Sequence, residues 1–154
     1  VVSAVVIDPI RREEFSACKG GGANLNNNRI RASKQQGLED AMLSFTKPLK
    51  QTKDIKYEFD KSYKELANQN LNMRESGCLS LDLSYIGTGR IDGIWSYDVE
   101  VTDFAAGSLI AQEGGALVSD FNGNPKFLKN NNIISSTSKI YKTILKSLKS
   151  SYKN

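Results

Sequence analysis

Histidine is absent from the 154 residues, and cysteine (2), proline (3) and tryptophan (1) are scarce. Without an imidazole the chain has no Ser-His-Asp or Cys-His nucleophile system, no His-ligated zinc and no His general acid. Any chemistry must come from carboxylates, hydroxyls, thiols, lysines or a metal held by oxygen, and magnesium on a few carboxylates, waters and phosphate oxygens meets that restriction. Cys18 and Cys78 are too few and too far apart to form a disulfide framework. They read as reduced thiols in a cytoplasm, each a small buried apolar side chain. No apolar run approaches the ~20 residues needed to span a bilayer, and no signal peptide is evident. The length is ample for one domain with a real core.

What is present is most informative between Arg90 and Gly107, which reads Arg-Ile-Asp-Gly-Ile-Trp-Ser-Tyr-Asp-Val-Glu-Val-Thr-Asp-Phe-Ala-Ala-Gly. This segment seats Asp103 where a strand and loop give way to a helix of small residues. Exposed amides at a helix start attract anions, and a carboxylate at the same spot can hold the hard cation that bridges protein to phosphate. The plainer alternative is that Thr102 or Asp103 only caps the helix.

The rest of the chain alternates strand and helix signals. Val1 to Ile7 is a nearly continuous β-branched run, expected to be a strand covered on both faces and ended by Asp8-Pro9. Glu14 to Cys18 and Arg29 to Ser33 read as short strands, joined by turns at Gly20-Gly21-Gly22 and Asn26-Asn27-Asn28. The glycines lack the following Lys-Ser/Thr of a phosphate loop. Leu38 to Leu49 reads as a linker plus a strand at Met42 to Phe45. Asp54 is the expected cap of a helix carrying Ile55, Phe59, Tyr63 and Leu66.

Gly77 to Ile86 alternates as a strand would, yet it suits a helix buried on most sides and bracketed by Gly77 and Gly87. Ile91 to Trp95 is the next strand, Phe104 to Gln112 a helix ended by Gly114-Gly115, and Ala116 to Phe121 a strand turning at Asn122 to Pro125. Ile133 to Ser136 reads as the last strand. A final helix carries Ile140, Ile144, Leu145 and Leu148 on one face and Lys139, Lys142, Lys146 and Lys149 on the other. With a net charge of +4, that lysine face makes a nucleic-acid-binding module one alternative function, although it lacks an arginine cluster and aromatic platforms.

Met-Arg-Glu-Ser-Gly-Cys-Leu-Ser-Leu-Asp-Leu from Met73, Gly-Thr-Gly-Arg-Ile-Asp-Gly-Ile-Trp from Gly87, Thr102-Asp103-Phe104-Ala-Ala-Gly and Glu113-Gly-Gly-Ala-Leu-Val-Ser-Asp-Phe-Asn-Gly follow one another with little insertion. In that order they resemble the carboxy-terminal half of the inositol monophosphatase family, within the fructose-1,6-bisphosphatase-like superfamily of metal-dependent phosphatases. Ile7-Asp8-Pro9-Ile10, Glu14 to Ala23, Asn26 and Arg29-Ile30 look like the antiparallel strands at the middle of the same proteins. The resemblance implies a mixed α and β fold, the carboxy-terminal part of a layered αβαβα sugar-phosphatase: antiparallel strands first, then a mixed sheet with helices on its faces. Residues 1–36 would end an antiparallel-sheet domain and residues 37–154 would form an α/β sandwich domain.

The same resemblance implies an Mg-dependent phosphomonoesterase acting on inositol phosphate or a related small sugar or polyol phosphate through metal-activated water, and a homodimer. Asp103 matches the family's carboxy-terminal metal ligand. Gly77, Cys78 and Leu79 match the turn that meets substrate hydroxyls, and Ser96 matches a position where inositol-binding members carry glutamate. Serine is shorter and uncharged, so it cannot reproduce that ionic acceptor. Cys78 and Leu79 replace smaller residues, and Thr102 stands where the family has tryptophan. The family's upstream glutamate motif and its Asp-Pro-Leu-Asp-Gly-Thr motif do not occur. Val1 is not a methionine and opens directly on a strand, so the chain is expected to be a fragment, inactive alone for want of most metal ligands. A catalytically inactive structural or dimerising relative is the other alternative.

Overall fold

The computed structural model describes every residue except 49, 51, 70–71 and 152–154, and at residue 151 the backbone alone. Two sheets carry the fold. The first is a four-stranded antiparallel meander of β1 (Ser3–Asp8), β2 (Glu13–Cys18), β3 (Gly22–Leu25) and β4 (Asn28–Arg29), in the order β1-β2-β3-β4. Its connections are tight because Gly20, Asn26 and Asn27 all take positive φ, which glycine and asparagine tolerate best.

The second sheet is mixed and five-stranded, with β5 (Met42–Thr46), β6 (Asn72–Arg74), β7 (Gly93–Tyr97), β8 (Leu117–Ser119) and β9 (Asn132–Ser136) in the order β6-β5-β7-β9-β8. β5 pairs in parallel with both β6 and β7, whereas β9 runs antiparallel to β7 and β8. Helices α2 (Leu79–Gly87) and α3 (Val101–Glu113) lie between the two sheets, and α1 (Lys53–Ala67) and α4 (Ser138–Ser151) cover the far face of the mixed sheet. The inner core joins Phe15, Leu83, Ile94 and Phe104, and the outer core joins Phe45, Trp95, Phe121 and Ile144. This is the expected class: antiparallel strands first, then a mixed sheet with helices on both faces.

Two glycines decide how closely the middle helices approach. A Cβ on Gly107 would lie 2.6 Å from the Ser80 carbonyl oxygen, and one on Gly114 would lie 2.7 Å from that of Gly87. The backbones therefore meet without intervening side chains, and α2 and α3 run side by side in the same direction.

Several local expectations need correction. The helix expected within Gly77 to Ile86 forms over Leu79–Gly87, with Gly77 and Cys78 exposed ahead of it and Gly87 as its last residue, but Val1 to Ile7 is not covered on both faces: Val5 and Ile7 are 55% and 60% exposed. The strand expected over Arg29 to Ser33 stops at Arg29. Beyond it the Ile30 N–H still donates to the Ala23 carbonyl of β3 at 3.0 Å, but the Ala32 N–H then donates to the Gly114 carbonyl at 2.9 Å and Ser33 Oγ bonds the Asp92 carboxylate, so the chain leaves the sheet. Thr52, not Asp54, caps α1, accepting from the Ile55 N–H at 3.4 Å, while Asp54 sits in the first turn beside the positive helix end. Both cysteines are exposed, because Cys18 lies on the outer side of β2 opposite Ser3 and Cys78 precedes α2. Helix α3 begins at Val101, earlier than Phe104, and the strand expected from Ala116 shortens to Leu117–Ser119.

Candidate active site

β6 leads directly into α2 and β7 into α3, and both strands run parallel to β5. Both helices therefore begin at the carboxyl end of the parallel strands, where crevices for ligands form in open α/β sheets. A hydrogen bond locks the two starts together: Ser80 Oγ, in the first turn of α2, donates to the Asp103 carbonyl at 2.6 Å. Two positive helix ends thus converge on one region.

Asp103 occupies the third position of α3 and is exposed. Neither Thr102 nor Asp103 is the residue before the helix; that is Glu100, whose N–H donates to Asp103 Oδ2 at 3.1 Å while the Asp103 N–H donates to the Glu100 carbonyl at 3.0 Å. The carboxylate closes the helix start with one oxygen, so capping and ligation are compatible roles for it. Gly77 takes φ +79°, which turns the chain sharply ahead of α2. The Cys78 N–H is held by Ser76 Oγ at 3.1 Å, and the Leu79 side chain is buried in the inner core. The bond from Ser80 to the Asp103 carbonyl therefore sets the turn of Gly77 and Cys78 near the start of α3, while the Leu79 side chain points away into the core.

Ser96 is fully buried within β7, beside Thr46 in register on β5, and neither hydroxyl has a partner among the described residues. Both lie near the carboxyl ends of their strands. Thr46 escapes a motif-based reading, and its signal is the parallel pairing that sets it beside Ser96. The loops leaving the three parallel strands are tied by ion pairs: Lys47 with Glu75 at 2.9 Å and Lys50 with Asp98 at 3.5 Å. The Glu75 carboxylate holds the Lys47 ammonium above its ordinary range.

Other acids are committed elsewhere. Asp92 accepts from Ser33 Oγ and from the Met42 N–H, and Asp120 accepts from Asn122, Asn124 and Asn130. Glu113 accepts from the Gly20 and Gly22 amides, both at 2.7 Å, which keeps its carboxyl below the usual range. The glycine turn is therefore filled by the protein's own carboxylate. Asp82 bonds Ser44 Oγ at 2.6 Å, and burial pushes its carboxyl up.

Among the described residues no group of three or more carboxylates or thiols could hold a metal ion. Asp103 fits as one corner of an oxygen cage and cannot close one alone. The sequence profile of the inositol monophosphatase family matches residues 1–153. The chain belongs to the inositol monophosphatase family.

The Nus factor SuhB of Pseudomonas aeruginosa is 40% identical over 143 residues, 92% of this chain and 53% of that protein. The extragenic suppressor protein suhB from Bartonella henselae superposes with a TM-score of 0.87 at 30% identity, over 96% of this chain and 58% of that one. An inositol monophosphatase from Anabaena gives a TM-score of 0.87 at 25% identity, again over 96% and 58%. The chain spans somewhat more than half the length of these relatives.

Proposed function

We propose that the protein carrying this chain is a magnesium-dependent phosphomonoesterase for a small sugar or polyol phosphate, with Asp103 as one of its metal ligands. The observation that carries this reading is the meeting of two helix starts at an exposed carboxylate, in a chain of the inositol monophosphatase family. Magnesium bound there would neutralise phosphoryl charge and activate water. The chain's own residues would prepare the place: the amides of the first turns of α2 and α3 favour the anion, and the bond from Ser80 to the Asp103 carbonyl fixes their spacing. The remaining ligands would come from outside the 154 residues, so the chain alone is expected to be inactive.

Substrate choice is expected to depart from inositol phosphate. Ser96 is a buried neutral hydroxyl at the position of a longer anionic acceptor for sugar hydroxyls, and the exposed Cys78 replaces a smaller residue, whereas the Leu79 side chain turns into the inner core and adds no bulk to a substrate wall. The exposed, unbridged thiols agree with a reducing compartment, the cytoplasm.

The test is phosphate release by the intact protein from a panel of inositol, sugar and nucleotide monophosphates, with and without Mg²⁺. Metal-dependent release, strongest on an ester other than inositol phosphate, is expected. Absence of release from every ester at saturating Mg²⁺ would overturn the enzyme reading. It would favour a non-catalytic binding role, to which the name Nus factor of the Pseudomonas aeruginosa relative lends weight.

A further inference from the structure

Charge is divided unevenly along the chain. Residues 121–154 contain seven lysines and no Asp or Glu, so the first 120 residues, with 14 of the 21 basic side chains and all 17 acidic ones, are net negative. Four of the seven lysines gather on α4. Lys139, Lys142, Lys146 and Lys149 recur at intervals of three and four residues, which sets them on one side of the helix in a stripe about 15 Å long. All four are exposed, while Ile140, Ile144 and Leu148 on the opposite side are buried against the mixed sheet. None of the four has an ion-pair partner among the described residues. Towards the carboxyl end of α4 the nearby acid of α1, Glu65, already accepts from Ser150 Oγ at 2.7 Å, and Lys61 of α1 donates to the Ser150 carbonyl at 2.6 Å. The result is a row of positive charge with no acid on its own helix, on the side of the mixed sheet opposite α2 and α3.

We infer that the lysine stripe of α4 docks the phosphate backbone of a nucleic-acid duplex without reading its base sequence. Four ammonium groups over about 15 Å face about four successive phosphates of one strand, at roughly 3.4 Å of duplex axis each. Lysine is a compact point charge on a flexible stem, suited to attracting phosphate. Base readout relies mainly on the planar forks of Arg, Asn and Gln, and α4 carries none of these. A single strand is held in addition by aromatic rings stacked on its bases, but the one aromatic side chain of α4, Tyr141, is half-buried and bonded through its hydroxyl to Ser119. A lipid surface needs an apolar face to insert, and that of α4 is buried in the core. An acidic protein needs apolar anchors at the centre of its contact, whereas the other exposed residues of α4 are Ser138, Thr143 and Ser150.

The test is fluorescence anisotropy of labelled RNA and DNA duplexes of two unrelated sequences, titrated with the intact protein over a salt series. Equal binding to both sequences is expected, with log affinity falling against log salt at a slope of about −3 to −4, as four phosphate contacts require. Lys146→Gln should reduce that slope by about 1. Joint replacement of Lys139, Lys142, Lys146 and Lys149 by Gln should abolish binding at an unchanged melting point, since glutamine forms helix about as well as lysine. The same replacement at Lys34, Lys53, Lys56 and Lys64 removes as much charge elsewhere and should leave most of the affinity. Binding of one type of duplex alone would sustain the inference and name the partner. Duplex binding that survives loss of the four α4 lysines, equal loss in both four-lysine variants, or no binding at low salt would overturn it. So would tighter binding to the single strands, or binding to polyglutamate or anionic vesicles in place of the duplexes. Phosphate release should be the same in the α4 variant and wild type, so a failure of this inference and a failure of the phosphatase reading are told apart.

Discussion

The two sheets of this chain solve the same problem to different degrees. Every residue of β7 and β9 is buried, because α2 and α3 cover one face of the mixed sheet and α1 and α4 the other. The antiparallel sheet is covered by the middle helices on one face only, so β1 shows a buried residue at Ala4 and Asp8 and exposed ones at Ser3, Val5 and Ile7. Sequence character does not separate them: Val-Val-Ile in β1 is as apolar as Gly-Ile-Trp in β7. Coverage by a second layer is a property of the partner, and a strand's own composition reports only that it could be covered.

The comparison breaks most sharply at matched large-to-small substitutions. Trp95→Ala, fully buried against Phe45, should cost about 3–5 kcal/mol in a denaturant titration. Val5→Ala, on the bare face, should stay within about 0.5 kcal/mol. Equal losses would mean that β1 is covered in solution.

Next in size is the middle layer, which both sheets share. Gly107→Ala drives a methyl against the Ser80 carbonyl and the Leu83 side chain, and should lower stability by about 1–3 kcal/mol. An unchanged melting point would show that α2 and α3 can separate at no cost.

The smallest effects come from two acids that titrate in opposite senses. Burial raises the Asp82 carboxyl, so its contribution is greatest below the unfolded carboxyl range and is lost as pH rises through the folded value; Asp82→Asn should gain about 1 kcal/mol at neutral pH and nothing in acid. Glu113 is lowered by the Gly20 and Gly22 amides, so its contribution is present above the unfolded carboxyl range and is lost as pH falls through the folded value. Glu113→Gln should therefore destabilise the clamp between the antiparallel sheet and α3 by less than about 1 kcal/mol at neutral pH, with the difference fading in acid. Melts of both variants across pH check the two signs.

Much of the layered fold was legible from periodicity and turn chemistry. The stripe of Ile140, Ile144 and Leu148 predicted the buried face of α4, and Gly114-Gly115 the end of α3, with Gly115 at φ +100°. Strand β6 was not legible: Asn-Met-Arg is three residues long and takes its identity from parallel pairing with β5. β3 was hidden for a similar reason, since Gly-Ala-Asn-Leu reads as turn until β2 gives it hydrogen bonds. The expected burial of Cys18 and Cys78 failed because small apolar character says nothing about which side of a strand or helix start a residue occupies.

The family resemblance singled out Gly77 to Leu79, Ser96 and Asp103 as candidates, whereas the pairing of Thr46 with Ser96 and the bond from Ser80 to Asp103 needed the third dimension. Ser80 in particular reads as one more helix residue, and only the parallel course of α2 and α3 brings it to the Asp103 carbonyl.

The central claim is that Asp103 is a metal ligand, and the direct measurement is divalent-cation affinity in the intact protein. Mn²⁺ is a spectroscopic substitute for Mg²⁺, since both take oxygen ligands, and its binding can be followed by the paramagnetic relaxation of water protons in wild type and Asp103→Asn. Asparagine keeps an oxygen that can accept from the Glu100 N–H, so the helix start and the melting point should survive. Affinity should fall by about 100-fold or more, beyond what loss of an outer partner costs. Unchanged Mn²⁺ affinity with an unchanged melting point would contradict the account.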